Sequence, residues 1–344
     1  RALDEGRHDE AREELARVEM LARDRADFRA LSRVARDLLG SLHVEAPGGR
    51  ARLFRIRPDT LELETDPILV GTVPTAWNAV RTGAYCLEIA LEGHVPLRIP
   101  IVVRTPSEVA PSAHHVRLAV PALPRTDAVP PGMAVVWGGE CRLGGEAVGG
   151  LPLRTVTLAG FLLDACEVTN REFAEYLRAT GAPPPPHWQG PAPADGIAGL
   201  PVTNVSWHEA NAYARWKGKR LPTEDEWERA GRWVDGRPFP WGSEWAEHRS
   251  NAGGAGRTVR APRSTAADRS PDGIWDLAGN VSEWTATEHT TAEIPDGRVV
   301  RGSAYPMHHR WKFFLLEHLA SRKIVQPGVR REYLGFRCAG ELPP

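Results

Sequence analysis

The stretch from Leu200 to Trp284 constrains this chain more than any other. It reads LPVTNVSWHEANAYARWKGKRLPTEDEWERAGR, then FPWG, then DGIWDLAGNVSEW. Ser206 with Glu209 and Thr223 with Glu226 are capping boxes, and Thr169 with Glu172 forms a third just upstream. In such a box the hydroxyl accepts the N–H three residues on, and the glutamate reaches back to the cap N–H. Two otherwise unpaired donors are satisfied at once, which fixes where a helix begins. The spacing predicts a helix from Thr169 that turns Phe173, Tyr176 and Leu177 inward and closes at Gly181. A second runs from Ser206 to Gly218, and a third places Trp227 and Ala230 on one side. The tryptophans outside these helices fall in loop-like segments, where an indole that packs and also donates a hydrogen bond can fix irregular backbone.

Length and composition bound the rest. A chain of 344 residues has room for two or three domains, and 42% hydrophobic with 25% charged residues is ordinary for a globular protein. A net charge of −1, with arginines scattered rather than striped, gives no field that favours nucleic acid. Apolar runs such as Met133–Trp137 are far below the roughly 20 residues a membrane span needs. Cys86, Cys141, Cys166 and Cys338 are isolated thiols, a pattern that suits a reducing compartment and places the protein in the cytoplasm. The chain opens at Arg1 without an initiator methionine, so we read it as a fragment preceded by a helical-repeat or kinase region.

Periodicity then divides the chain. Residues 1–41 carry two apolar stripes at helical spacing and read as a helical hairpin, either packed on the next domain or the last repeat of a tetratricopeptide-type array. From Leu42 the period becomes two, and six or so short strands over 42–120 predict a small β-sandwich. Through the run GTVPTAWNAVRTGAYCLEIALEGHVPLRI at 71–99 it is loosely similar to PEGA-type spacer domains. Pro121–Gly132 reads as a stiff, proline-rich linker, and 133–344 as a domain rich in irregular structure.

That last domain resembles the formylglycine-generating enzyme (sulfatase-modifying factor) family, an α+β branch of the C-type-lectin-like fold. The motifs that carry the resemblance are WGGE at Trp137–Glu140, EVTNREF at Glu167–Phe173 and the framework from Pro201 to Arg232. FPWG, Asn251, GIWDLAGNVSEW, VRG at Val300–Gly302 and GFRCA at Gly335–Ala339 complete them. The resemblance implies structural Ca²⁺ held by the Asp276 and Glu283 side chains with the Gly279 and Val281 carbonyls, a donor set such a hard cation accepts. It implies a second calcium at Asn251, yet NAGGAGRTVRAP supplies no carboxylate there.

The resemblance also implies two copper-binding cysteines in the C-terminal segment. Aligned without gaps, those positions are Met307 and Lys312, neither of which can be a thiolate, so no copper and no oxidase chemistry is expected. The positions that would pair with Cys338 are Ala214 and Gly231. His308, His309 and His318 offer a weaker route to another metal-dependent oxidoreductase, since adjacent residues on extended backbone point to opposite faces.

Recognition remains. Tyr305, Met307, His308, His309, Arg310, Trp311 and Phe313, with Arg330, Arg331 and Tyr333, form a concentration of interface-type residues. The resemblance places them along the family's substrate-peptide groove, and Trp188 and the 233–250 loop are expected to assist the binding surface built from 303–333. A noncatalytic domain that binds a protein or peptide is therefore expected. It is similar either to the recognition domains of bacterial serine/threonine kinase systems or to diversity-generating-retroelement variable proteins, in which 303–333 would vary.

Overall fold

The computed structural model describes residues 39–45, 48–56, 64–103, 115–119, 122–233, 235–253, 257–306, 310–311, 314–315 and 317–343. They fall into two compact units, one ending at Ala128 and the other spanning Val129–Pro343. The helical hairpin expected over 1–41 lies outside the described residues, apart from 39–41. There the expectation is corrected: Leu39, Gly40 and Ser41 open a strand.

The first unit contains β1 (Leu39–Glu45), β2 (Arg50–Arg55), β3 (Leu69–Thr72), β4 (Thr75–Arg81), β5 (Gly83–Ala90), β6 (Leu97–Val103) and β7 (His115–Ala119). They form a three-stranded sheet, β4-β1-β7, and a four-stranded sheet, β3-β2-β5-β6. Leu42, Val44, Leu53, Leu87 and Ile89 are almost wholly shielded from solvent. Buried Glu88 on β5 faces Arg52 on β2 and Arg98 on β6, in register across three strands, so its charge is paired from both sides. Part of the segment read as a stiff, proline-rich linker is hydrogen-bonded here. Val95 N–H donates to Pro124 O at 2.9 Å, Thr126 N–H donates to Gly93 O at 2.9 Å, and Thr126–Ala128 forms a 3-10 turn.

The second unit runs β8 (Met133–Val136), β9 (Gly139–Leu143), β10 (Arg154–Leu158), β11 (Phe161–Asp164), α1 (Asn170–Thr180), α2 (Trp207–Trp216) and α3 (Glu224–Arg232). It continues with β12 (Ser282–Glu288), β13 (Arg298–Arg301), β14 (Arg310–Trp311), β15 (Phe314–Leu315), β16 (Arg322–Val325), β17 (Leu334–Gly335) and β18 (Ala339–Glu341). All three capping boxes are formed with both reciprocal bonds, and Gly181 closes α1 in the left-handed region at φ 70°. β18 pairs with β11 beside β8, so the two ends of the unit meet in one sheet.

The sheet that organises the unit has the order β16-β13-β12-β17. Its register sorts side chains onto two faces, because successive residues on a strand alternate. Glu283, Arg301 and Arg322 line up on one face, and Trp284, Val300 and Lys323 on the other. The first face packs on α3 through ion pairs. Arg301 meets Glu228 and lies over the Trp227 ring, and Arg322 donates to Glu224 at 3.1 Å. The second face joins the aromatic core of Phe173, Tyr176, Tyr213 and Phe336 from α1, α2 and the chain end.

Indoles do hold the irregular backbone. Trp284 donates to Val205 O at 2.9 Å, Trp207 to Thr285 O at 2.8 Å, and Trp233 to Asp272 at 3.0 Å. Among the described residues, no helix is long and apolar enough to cross a membrane.

Candidate functional site

Beneath the GNVSEW turn lies a buried charge cluster. Glu283 is fully shielded and accepts three N–H donors: Arg337 Nε and Nη2 at 2.7 Å each, and Trp227 Nε1 at 2.8 Å. Arg337, also fully shielded, donates further to the Trp275 and Asp164 carbonyls. Glu167, Asp268 and Asp276 are buried close by, so one guanidinium faces four carboxylates. Burial first, and then the neighbouring Asp276 charge, holds Glu167 and Asp268 well above the usual carboxylate range. Burial pushes Asp276 up to about 6.

The residues expected to hold calcium sit in this cluster with partners of their own. Glu283 accepts from Arg337 and Trp227. Asp276 accepts the Arg263 N–H at 2.8 Å, and Gly279 packs directly on the Asn251 backbone. Asn251, expected at a second calcium, donates through Nδ2 to Asn280 Oδ1 and to Thr258 O at 3.0 Å each. Two acceptors here are buried without a partner, Glu167 Oε2 and Asn251 Oδ1. Among the described residues, no three His, Cys, Asp or Glu side chains converge as a metal centre.

A second feature opens on the opposite face of the sheet, a pocket of about 320 Å³. Its strand residues include Ser282 on β12, Val300 on β13, Lys323 and Val325 on β16, and Leu334 on β17, all on the face register assigns away from α3. Ile294 from the β12–β13 connection and Val329, Arg331 and Tyr333 from the segment after β16 complete the wall. Lys323 Nζ lies 3.5 Å from Ser282 Oγ, and Ser282 donates to Gly302 O at 3.1 Å. Burial lowers the Lys323 ammonium to about 8, since taking a charge out of water favours the neutral amine.

The structure brings together part of the anticipated ligand surface. Arg331 and Tyr333 line the pocket. Arg330 is exposed and held by Glu209, the capping-box glutamate of α2, through two bonds of 3.0 Å. Tyr305 is half-buried, with its N–H on Asn280 O, and is not part of the pocket wall. Arg310 and Trp311 form β14 against β15. Met307, His308, His309, Lys312 and Phe313 lie outside the described residues. Trp188 is corrected from surface to core: it is 7% exposed and donates to Asn170 at 3.2 Å. In the 233–250 loop, Trp233 is likewise buried, under the Arg237 guanidinium.

Sequence reading did not anticipate Ser282 or Ile294, and it took in Lys323 and Val325 only as part of the broad 303–333 surface, without singling them out. Ser282 sits inside a framework motif, and Lys323 follows an arginine that turns the other way. Only the sheet register separates them.

Cys86, Cys141 and Cys338 are buried and Cys166 is partly so. Burial raises the Cys141, Cys166 and Cys338 thiols above their usual range, away from the thiolate that redox chemistry needs.

A family model described as the sulfatase-modifying factor enzyme 1-like domain matches residues 120–342. The chain belongs to this family. It is 32% identical over 286 residues to the formylglycine-generating enzyme of Thermomonospora curvata, a match covering 61% of this chain and 93% of that protein. It is 30% identical over 283 residues to the inactive Cα-formylglycine-generating enzyme 2 of Mus musculus, covering 64% and 90%. The structure of PvdO from Pseudomonas aeruginosa matches with a TM-score of 0.50 at 25% identity, over 61% of this chain and 94% of that one. The fold is thus the α+β, C-type-lectin-like fold of the formylglycine-generating type. The family includes relatives named as the enzyme and relatives named as inactive, so membership alone does not decide catalysis.

Proposed function

We propose that the second unit is a noncatalytic recognition domain that takes a peptide or an exposed protein segment into the pocket on the β16-β13-β12 face. The observation that carries the reading is the pairing of a formed pocket, walled by Arg331 and Tyr333, with Met307 and Lys312 at the positions the resemblance gives to the catalytic cysteines. An oxidase on this scaffold needs two thiolates, and burial disfavours the thiolate at Cys141, Cys166 and Cys338. At about 320 Å³ the pocket sits at the small end of ligand sites, enough for one or two side chains of a longer ligand. Calcium, on this reading, is a structural cation. Asp276, with the Gly279 and Val281 carbonyls, remains eligible to hold it, and the surplus of buried carboxylates with the orphaned Glu167 Oε2 supports a cation there.

The test has two arms. Panning a random-peptide display library on the full chain is expected to enrich binders that are lost with Val329→Arg at the partly exposed pocket rim. Copper-loaded full chain incubated with a cysteine-containing peptide is expected to give no aldehyde; a hydrazine-reactive product would refute the noncatalytic reading. If the domain is also diversified between strains, changes should fall on exposed positions such as Arg330 and Arg331. They should spare buried Ser303, Leu319 and Arg322 within the same segment.

A further inference from the structure

Of the eleven residues that line the pocket, none is Asp or Glu, while Lys323 and Arg331 are cationic. Most of the others are aliphatic, including Ile294, Val300, Val325 and Leu334. The two cations are placed differently. Arg331 is exposed at the rim, where its guanidinium donates back to Arg330 O at 3.1 Å. Lys323 stands on the sheet floor, on the same face as Val300 and Trp284, with its ammonium 3.5 Å from Ser282 Oγ. The Ser282 proton is directed to Gly302 O, which leaves the hydroxyl oxygen as an acceptor toward Lys323.

A ligand that enters this pocket meets an apolar wall, one ammonium at depth and one guanidinium at the mouth. Building on the recognition reading, we propose that the pocket selects an acidic peptide segment, seating an Asp or Glu carboxylate against Lys323 beside an aliphatic residue. An ammonium carries three donors, so a carboxylate can join the partners Lys323 already has, Ser282 among them. A charge-assisted bond is strong and directional, more so where the site is partly enclosed. A basic ligand side chain would instead set a like charge against Lys323, which counts against such ligands. A single carboxylate also matches one ammonium better than a phosphate dianion, which needs several donors converging on it. Among the described strands β16 is the edge of its sheet, so an extended segment can run beside the pocket and present one side chain to it.

The experiment uses three display libraries with the same randomised flanks and a central residue fixed as Asp/Glu, Asn/Gln or Lys/Arg, panned on the full chain. The acidic library should be enriched at least about tenfold over the amide library, equivalent to about 1.4 kcal/mol. Lys323→Met should bring that ratio to near unity, and Lys323→Arg should keep most of it. Folding of both variants is checked by near-UV circular dichroism. Equal or greater enrichment of the amide or basic library overturns this inference and leaves peptide recognition standing. An acidic preference that persists in Lys323→Met, or competition by millimolar inorganic phosphate but not acetate, overturns it as well. Absence of enrichment from every library removes the recognition reading along with it.

Discussion

Replacing Arg337 with methionine is expected to destabilise the second unit far more than replacing Glu283 with glutamine, although the two residues form one ion pair. Arg337 is fully buried and makes two 2.7 Å bonds to Glu283 and bonds of 2.8 and 3.2 Å to the Trp275 and Asp164 carbonyls. Its loss leaves a buried carboxylate held only by the Trp227 indole and strands two carbonyls. Breaking a buried pair from one side costs about 3–5 kcal/mol. Arg337 also lowers the energy of ionised Glu167 and Asp276, so those charges lose their neutralising partner too. Glu283→Gln keeps an acceptor for Trp227 and leaves the guanidinium facing the remaining carboxylates, so about 1–2 kcal/mol is expected. The double variant should cost less than the sum of the singles by at least about 2 kcal/mol.

Urea unfolding followed by tryptophan fluorescence reports the right unit, because Trp77 is the one tryptophan that precedes Val129. With a urea slope near 3 kcal/mol/M, Arg337→Met should lower the midpoint by about 1 M or more. Equal losses for the two single variants, or a coupling energy near zero, would refute the view that one cation balances a cluster of anions.

Further expectations concern the same cluster and its surroundings. Burial, followed by the Arg232 charge, lowers His318 to about 4, and its Nδ1 accepts the Ala320 N–H at 3.0 Å. The unfolded imidazole takes a proton near pH 6.5 and the folded one resists it, so this residue's contribution is complete above about 6.5 and is lost as the pH falls toward 4. His318→Gln should flatten the stability profile between about pH 6.5 and 4, and an unchanged slope would count against burial of the neutral ring as the cause. Calcium at millimolar concentration should raise the thermal midpoint and Asp276→Asn should abolish that rise; no response to calcium would mean that protons alone neutralise the cluster. Gly335→Ala should be poorly tolerated, since its Cβ would lie 2.5 Å from the Val202 carbonyl oxygen, and a wild-type midpoint would contradict that packing.

Much of this protein is legible in local chemistry. A capping box is complete within four residues, so Thr169, Ser206 and Thr223 announce their helices without reference to anything distant. The motif order from Trp137 to Ala339 identifies the fold, and the expectation of no oxidase rests on residue type alone, on Met307 and Lys312 at the positions the resemblance gives to the cysteines. Tertiary structure decides what depends on partners far apart in the chain. Glu283 reads as a cation ligand from its motif, and only the fold shows that Arg337, 54 residues away, is bonded to it. Trp188 reads as a surface aromatic until Asn170 and the core enclose it. Lys323 and Arg322 are adjacent in sequence, and strand alternation sends one to the α3 ion pairs and the other into the pocket. Sequence pattern determines which residues can form a strand face; only pairing with β13 settles which face is buried against a helix and which is left open to receive a ligand.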